Sequence, residues 1–95
     1  MGEPRAMVNI GKLYMNGIAV TKDRTKAFQF YQKAANKKHP IGLLMLGSCY
    51  EHGFGTDKNM TKCIDYYQMA VDAGFREAQK RLNRISQQPQ EAPNS

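Results

Sequence analysis

Little in this chain points to stapling, anchoring or export. Its two cysteines, Cys49 and Cys63, are too few for a disulfide framework, and their spacing fits no zinc-ligand pattern. No apolar run approaches the roughly 18 residues that a membrane-spanning helix needs. The N-terminus lacks the basic start and apolar stretch of a secretory signal. Met1-Gly2 begins like a myristoylation site, but Ala6 stands where that pattern requires Ser or Thr. These absences predict a reducing, cytoplasmic setting and no membrane partner. Without a signal, Asn59-Met60-Thr61 is a glycosylation sequon in form only.

Acidic residues are scarce at one end. Residues 4–39 hold eight basic side chains against Asp23 alone, a balance of +7. Residues 40–75 hold two basic against four acidic, a balance of −2, within an overall charge of +6. A surplus of this size raises nucleic acid as a partner. The 95 residues, 41% of them hydrophobic, make one domain with a modest core or one piece of a longer array.

The sequence repeats itself at a shift of 36 residues without a gap. Pro4 pairs with Pro40, Gly11 with Gly47, Tyr14 with Tyr50, Gly17 with Gly53, Lys26 with Lys62 and Tyr31 with Tyr67. Each unit reads as two helices. Proline opens the first, where its fixed φ suits the first turn. Ala6, Ile10, Leu13 and Tyr14, then Gly42, Leu46, Cys49 and Tyr50, follow the spacing of one helical face and are assigned to the core. Gly11 and Gly47 lie inside that helix, where glycine costs roughly 1 kcal/mol against alanine, and so mark close helix approach. Gly17 and Gly53 end it, Asp23 and Asn59 cap the next, and Ala27, Phe30, Tyr31 and Ala34, with Cys63, Tyr66, Tyr67 and Ala70, face the core of the second helix.

A third start continues the register with Ala78, Leu82 and Ile85 among polar neighbours. A helix polar on its outer face suits the end of a stack. The expected layout is repeat 1 at 4–39, repeat 2 at 40–75, a capping helix at 76–86 and a Gln/Pro/Asn-rich disordered tail at 87–95.

Ala6, Ile10-Gly11, Tyr14, Gly17, Val20, Asp23, Lys26-Ala27, Phe30-Tyr31 and Lys33-Ala34-Ala35 resemble the Sel-one-like repeat (SLR), a relative of the tetratricopeptide repeat. So do Leu46-Gly47, Tyr50, Gly53-Phe54-Gly55, Lys62, Tyr66-Tyr67, Ala70 and Gly74 in the second copy. The departures are mild: Ala19 for glycine, Thr56 for valine, Asn59 for Asp, Cys63 for alanine and Lys38 for the closing glycine. The resemblance implies an all-α fold, a right-handed α–α superhelix (solenoid) of two helix–turn–helix repeats plus the capping helix. It also implies a scaffold or adaptor role in protein complexes, with no cofactor and no catalytic or metal-binding residue. An accessory or regulatory subunit of an enzyme complex is the alternative.

Four local patterns suggest chemistry or a ligand, and each has a plainer reading. Ser48, Glu51 and His52 share a helix face, but no strained nucleophile turn or oxyanion donor accompanies them, so a hydrolase is disfavoured. Gly53-Phe54-Gly55-Thr56-Asp57-Lys58 has the glycines of a phosphate loop at the place where the repeat needs its turn. Cys49 and Cys63 fill the slots of Leu13 and Ala27 and read as small core hydrophobes. Lys22, Arg24, Lys26, Lys33, Lys37 and Lys38 fall on or beside the second helix, with the aromatics in core register, so nucleic acid lacks a stacking platform.

Superhelical repeats bind on a concave surface lined by the first helix of each pair. Outside the core register those helices offer Arg5, Val8, Lys12, Met15 and Asn16, then Leu44, Ser48, Glu51 and His52, then Lys80 and Arg84. This mixture suits a protein partner in the form of an acidic peptide or helix. The N-terminal end is expected to be open, exposing Met7 and Val8. The basic-then-acidic halves then suggest self-association by head-to-tail stacking.

Overall fold

A computed structural model describes residues 3–87, which form five helices. Helix α1 spans Pro4–Asn16, α2 Arg24–Asn36, α3 Pro40–His52, α4 Met60–Asp72 and α5 Arg76–Gln87. There is no strand among the described residues. The capping helix thus includes Gln87, one residue beyond the expected boundary; the rest of the expected tail, and Met1-Gly2, lie outside the described residues.

The repeat chemistry sets the helix ends. Pro4 and Pro40 open α1 and α3. The Asp23 carboxylate accepts from the Lys26 N–H at 3.1 Å and the Asn59 amide oxygen from the Lys62 N–H at 3.0 Å, each satisfying a free donor of the first turn. Gly17 and Gly53 turn left-handed, at φ 69° and 76°, to stop α1 and α3. The Asp23 and Asn59 N–H groups then donate back to the Tyr14 and Tyr50 carbonyls, at 2.9 and 2.8 Å, closing each turn.

Within each pair, tyrosine packs flat on glycine. A Cβ on Gly11 would lie 2.6 Å from the buried Tyr31 ring, and one on Gly47 would lie 2.6 Å from the Tyr67 ring. The glycines, costly in a helix, are thus required for the close crossing. Between pairs, α2 packs on α3 and α4 on α5. The Phe28 ring of repeat 1 meets Tyr50 of repeat 2 edge-on, with centroids 5.5 Å apart. Tyr50 in turn stacks on Tyr66, as Tyr14 stacks on Phe30.

The core register holds in repeat 2 but not in repeat 1. Gly42, Leu46, Cys49 and Tyr50 are all buried, whereas Ala6 is exposed and Ile10, Leu13 and Tyr14 are half-buried. In repeat 2 this flank is covered by α2, so close to Gly42 that a Cβ there would lie 2.6 Å from that of Ala34. No described helix covers the same flank of α1.

Candidate protein-binding face

The first helices share one side of the stack. α1 touches α3 directly, and Arg84 of α5 meets Glu51 of α3. The helices that carry the expected binding residues are thus neighbours.

Two of those residues are corrected. Val8 and Leu44 are each only 3% exposed and belong to the core. With Lys80 they occupy one position of the repeat. That position is buried in α1 and α3, and exposed in α5, where Lys80 fills it. Val8 was also expected to be exposed at the open end, and that expectation fails with it. Met7 is half-buried.

The remaining residues divide by availability. Arg5, Lys12, Asn16, His52, Lys80 and Arg84 are exposed, and Met15 and Ser48 are half-buried. Lys12, Ser48 and Arg84 stand one repeat apart, so they form a row across the three first helices. Glu51 is engaged. Its carboxylate accepts from the Tyr67 hydroxyl at 2.7 Å and from the Arg84 guanidinium, also at 2.7 Å. Burial pushes this carboxyl up, but the hydrogen bond from Tyr67 and the charge of Arg84 outweigh burial and hold it below the ordinary carboxylate value. Sequence reasoning missed Tyr67 as the organiser of this cluster, because Met15 replaces Glu51 in the first copy and leaves no repeated pattern to read.

The geometry does not assemble a nucleophile. His52 Nδ1 lies 3.2 Å from the Ser48 backbone carbonyl, and its ring stacks on Phe54. Glu51 is turned to Tyr67 and Arg84. Cys49 and Cys63 are fully buried free thiols. Burial pushes Cys49 up to about 12, and burial with the nearby Glu51 charge pushes Cys63 up to about 11. Both are therefore protonated and unreactive near neutral pH. Among the described residues no group of three or more His, Cys, Asp or Glu is placed to hold a metal. No described helix is long and apolar enough to cross a membrane.

The sequence profile of the Sel1 repeat matches residues 4–39 and again 40–75. Among solved structures, the chain is similar to a Sel1 repeat protein from Oxalobacter formigenes, with 37% identity and a TM-score of 0.84 over 87% of this chain and 62% of that one. Cysteine-rich protein B of Helicobacter pylori is 32% identical, with a TM-score of 0.76 over 79% of this chain and 56% of that one. A protective antigen of uropathogenic Escherichia coli with an SLR fold gives 26% identity and a TM-score of 0.83, covering 88% of this chain and 18% of that one. This chain thus spans 62% or less of each of these proteins. No curated protein matches it by sequence.

Proposed function

The chain belongs to the Sel1 repeat family, whose members are generally protein–protein interaction modules, and from that premise we propose that it binds an acidic peptide or partner helix on the side lined by α1, α3 and α5, without catalysis of its own. One observation carries the reading: four exposed cations, Arg5, Lys12, Lys80 and Arg84, come from α1 and α5 and flank the central helix α3. The expected residues of α1 and α3 also include the half-buried Met15 and Ser48 and the exposed Asn16 and His52. Cations steer an acidic ligand to the surface, and a small apolar element with neutral donors fixes it there.

The reading is tested with a defined panel of acidic and basic peptides, measured against the wild-type chain and the double variant Lys12→Glu, Lys80→Glu. Both lysines are exposed and neither is in an ion pair among the described residues, so the variant keeps its fold. Arg84 is a poorer choice, because a glutamate there would face Glu51. Binding of acidic peptides that falls at least tenfold in the variant supports the proposal. Equal binding by both proteins contradicts it.

A further inference from the structure

On the side lined by the first helices, the central one is partly apolar. Along α3, Ile41, Met45, Ser48 and His52 follow one another at the spacing of a single helical face. Gly47 marks the side turned to α4, because the Tyr67 ring packs against it. At 3.6 residues per turn, Met45 stands about 160° round the helix from Gly47, and Ile41 about 120°. Both are half-buried, and Met45 also packs against the core, which fixes its position.

The fold does not ask for apolar residues there. Ile41 holds the repeat position of Arg5 in α1 and Glu77 in α5, and Met45 that of Asn9 and Arg81. Helices α1 and α5 thus form with polar or charged residues in both slots. The central copy alone carries large apolar side chains in them. We infer, on the basis of the acidic-partner reading, that Ile41 and Met45 seat one apolar side chain of the partner, and that the partner is an extended acidic segment carrying that side chain between its acids.

Dimensions and charge select that occupant. Ile41 and Met45 are about one turn apart, roughly 6 Å along the axis, a length that one leucine-sized side chain covers. Arg5 and Lys12 are exposed on α1, and Lys80 and Arg84 on α5, so the helices to either side of the seat carry cations. Arg5, Lys12 and Lys80 are in no ion pair among the described residues. Packed helix axes lie about 10 Å apart, which puts the α1 and α5 cations about 20 Å from each other. An extended chain covers that distance in about six residues. A segment with acids at that separation and an apolar residue midway meets all three helices at once. An apolar anchor inside a charged rim is the common anatomy of a protein interface. An acidic segment without the anchor would leave Ile41 and Met45 facing water.

Anisotropy titrations with fluorescein-labelled Glu-Asp-Glu-Ser-Ser-Leu-Ser-Ser-Glu-Asp-Glu test this. Two further peptides keep its charge: one has alanine for the leucine, and the other carries the leucine at its N-terminus. The wild-type chain is expected to bind the first peptide at least tenfold more tightly than either of the others. The variant Ile41→Gln, Met45→Gln places uncharged helix formers at both positions, and thermal melting checks its fold. It is expected to bind the leucine and alanine peptides within about threefold of each other. Lys12→Glu, Lys80→Glu is expected to weaken both peptides alike. Ala6→Glu, on the flank of α1 that no described helix covers, is expected to bind within about threefold of wild type.

No preference of the wild-type chain for the central leucine overturns the proposed anchor, and that result needs no variant. So does a preference that survives in folded Ile41→Gln, Met45→Gln. In either case, binding that still falls in Lys12→Glu, Lys80→Glu leaves the acidic-partner reading standing. Binding of none of the peptides overturns both. A concentration-dependent dimer in sedimentation that Ile41→Gln, Met45→Gln abolishes also overturns the anchor, since the occupant is then a second copy.

Discussion

The Tyr67 hydroxyl donates to the Glu51 carboxylate at 2.7 Å, tying the second helix of repeat 2 to the first. The other Glu51 oxygen takes Arg84 of α5, so one carboxylate joins three helices. Its side chain is only 12% exposed, which makes the hydrogen bond from Tyr67 to a charged acceptor more than a surface contact. Tyr67→Phe keeps the buried ring against Gly47 and removes only the hydroxyl. It is expected to destabilise the fold by about 1–2 kcal/mol, read from urea denaturation with an unchanged m-value.

The same carboxylate sets an acid limit. Its folded pKa lies below the ordinary 4.5, so the stability it contributes is fully present above that value and is lost as pH falls through the lower folded value. Denaturation midpoints should therefore fall with pH below about 4.5, and Glu51→Gln should flatten that slope while lowering stability at pH 7. A slope unaltered by Glu51→Gln would assign the acid sensitivity to other carboxylates.

Equivalent positions of the two repeats should answer the same pair of residues in opposite ways. Gly55→Ala adds a Cβ against the Arg24 backbone at a left-handed φ and is expected to cost roughly 3 kcal/mol. Ala19→Gly relieves the same backbone strain at an exposed position, and is expected to lie within about 1 kcal/mol of wild type, on the stabilising side. Thermal melts of the two variants check this directly.

The thiols offer a further check. Cys49 and Cys63 are fully buried and have raised pKa values of about 12 and 11. Iodoacetamide at pH 7.5 should leave both unmodified in the folded protein and alkylate both in urea, as seen by intact mass. Rapid labelling of the native chain would mean that α3 and α4 open far more readily than their packing implies.

The order of the helices and the means of their termination were legible in the sequence, because Pro4, Gly17, Asp23 and their counterparts 36 residues on act through local backbone chemistry. Gly11 and Gly47 were legible as close contacts for the same reason: a residue unfavourable to its own helix needs a tertiary cause. What escaped was the identity of the neighbour. Periodicity marks a face but not what lies across it, so Val8 and Leu44 read as surface while Ala6 and Leu13 read as core. The third copy misleads at that position, since Lys80 is exposed where Val8 and Leu44 are buried. The Tyr67–Glu51–Arg84 cluster left no trace, because its members are far apart in sequence and Glu51 has no counterpart in repeat 1.

The central claim is that α1, α3 and α5 present one surface for an acidic partner. The measurement that tests it most directly is the affinity of the tightest acidic peptide of the panel for three proteins side by side: wild type, Lys12→Glu with Lys80→Glu, and Ala6→Glu. At constant salt, the account predicts at least tenfold weaker binding to the double variant and an affinity for Ala6→Glu within about threefold of wild type. Undiminished binding to a folded double variant would contradict it.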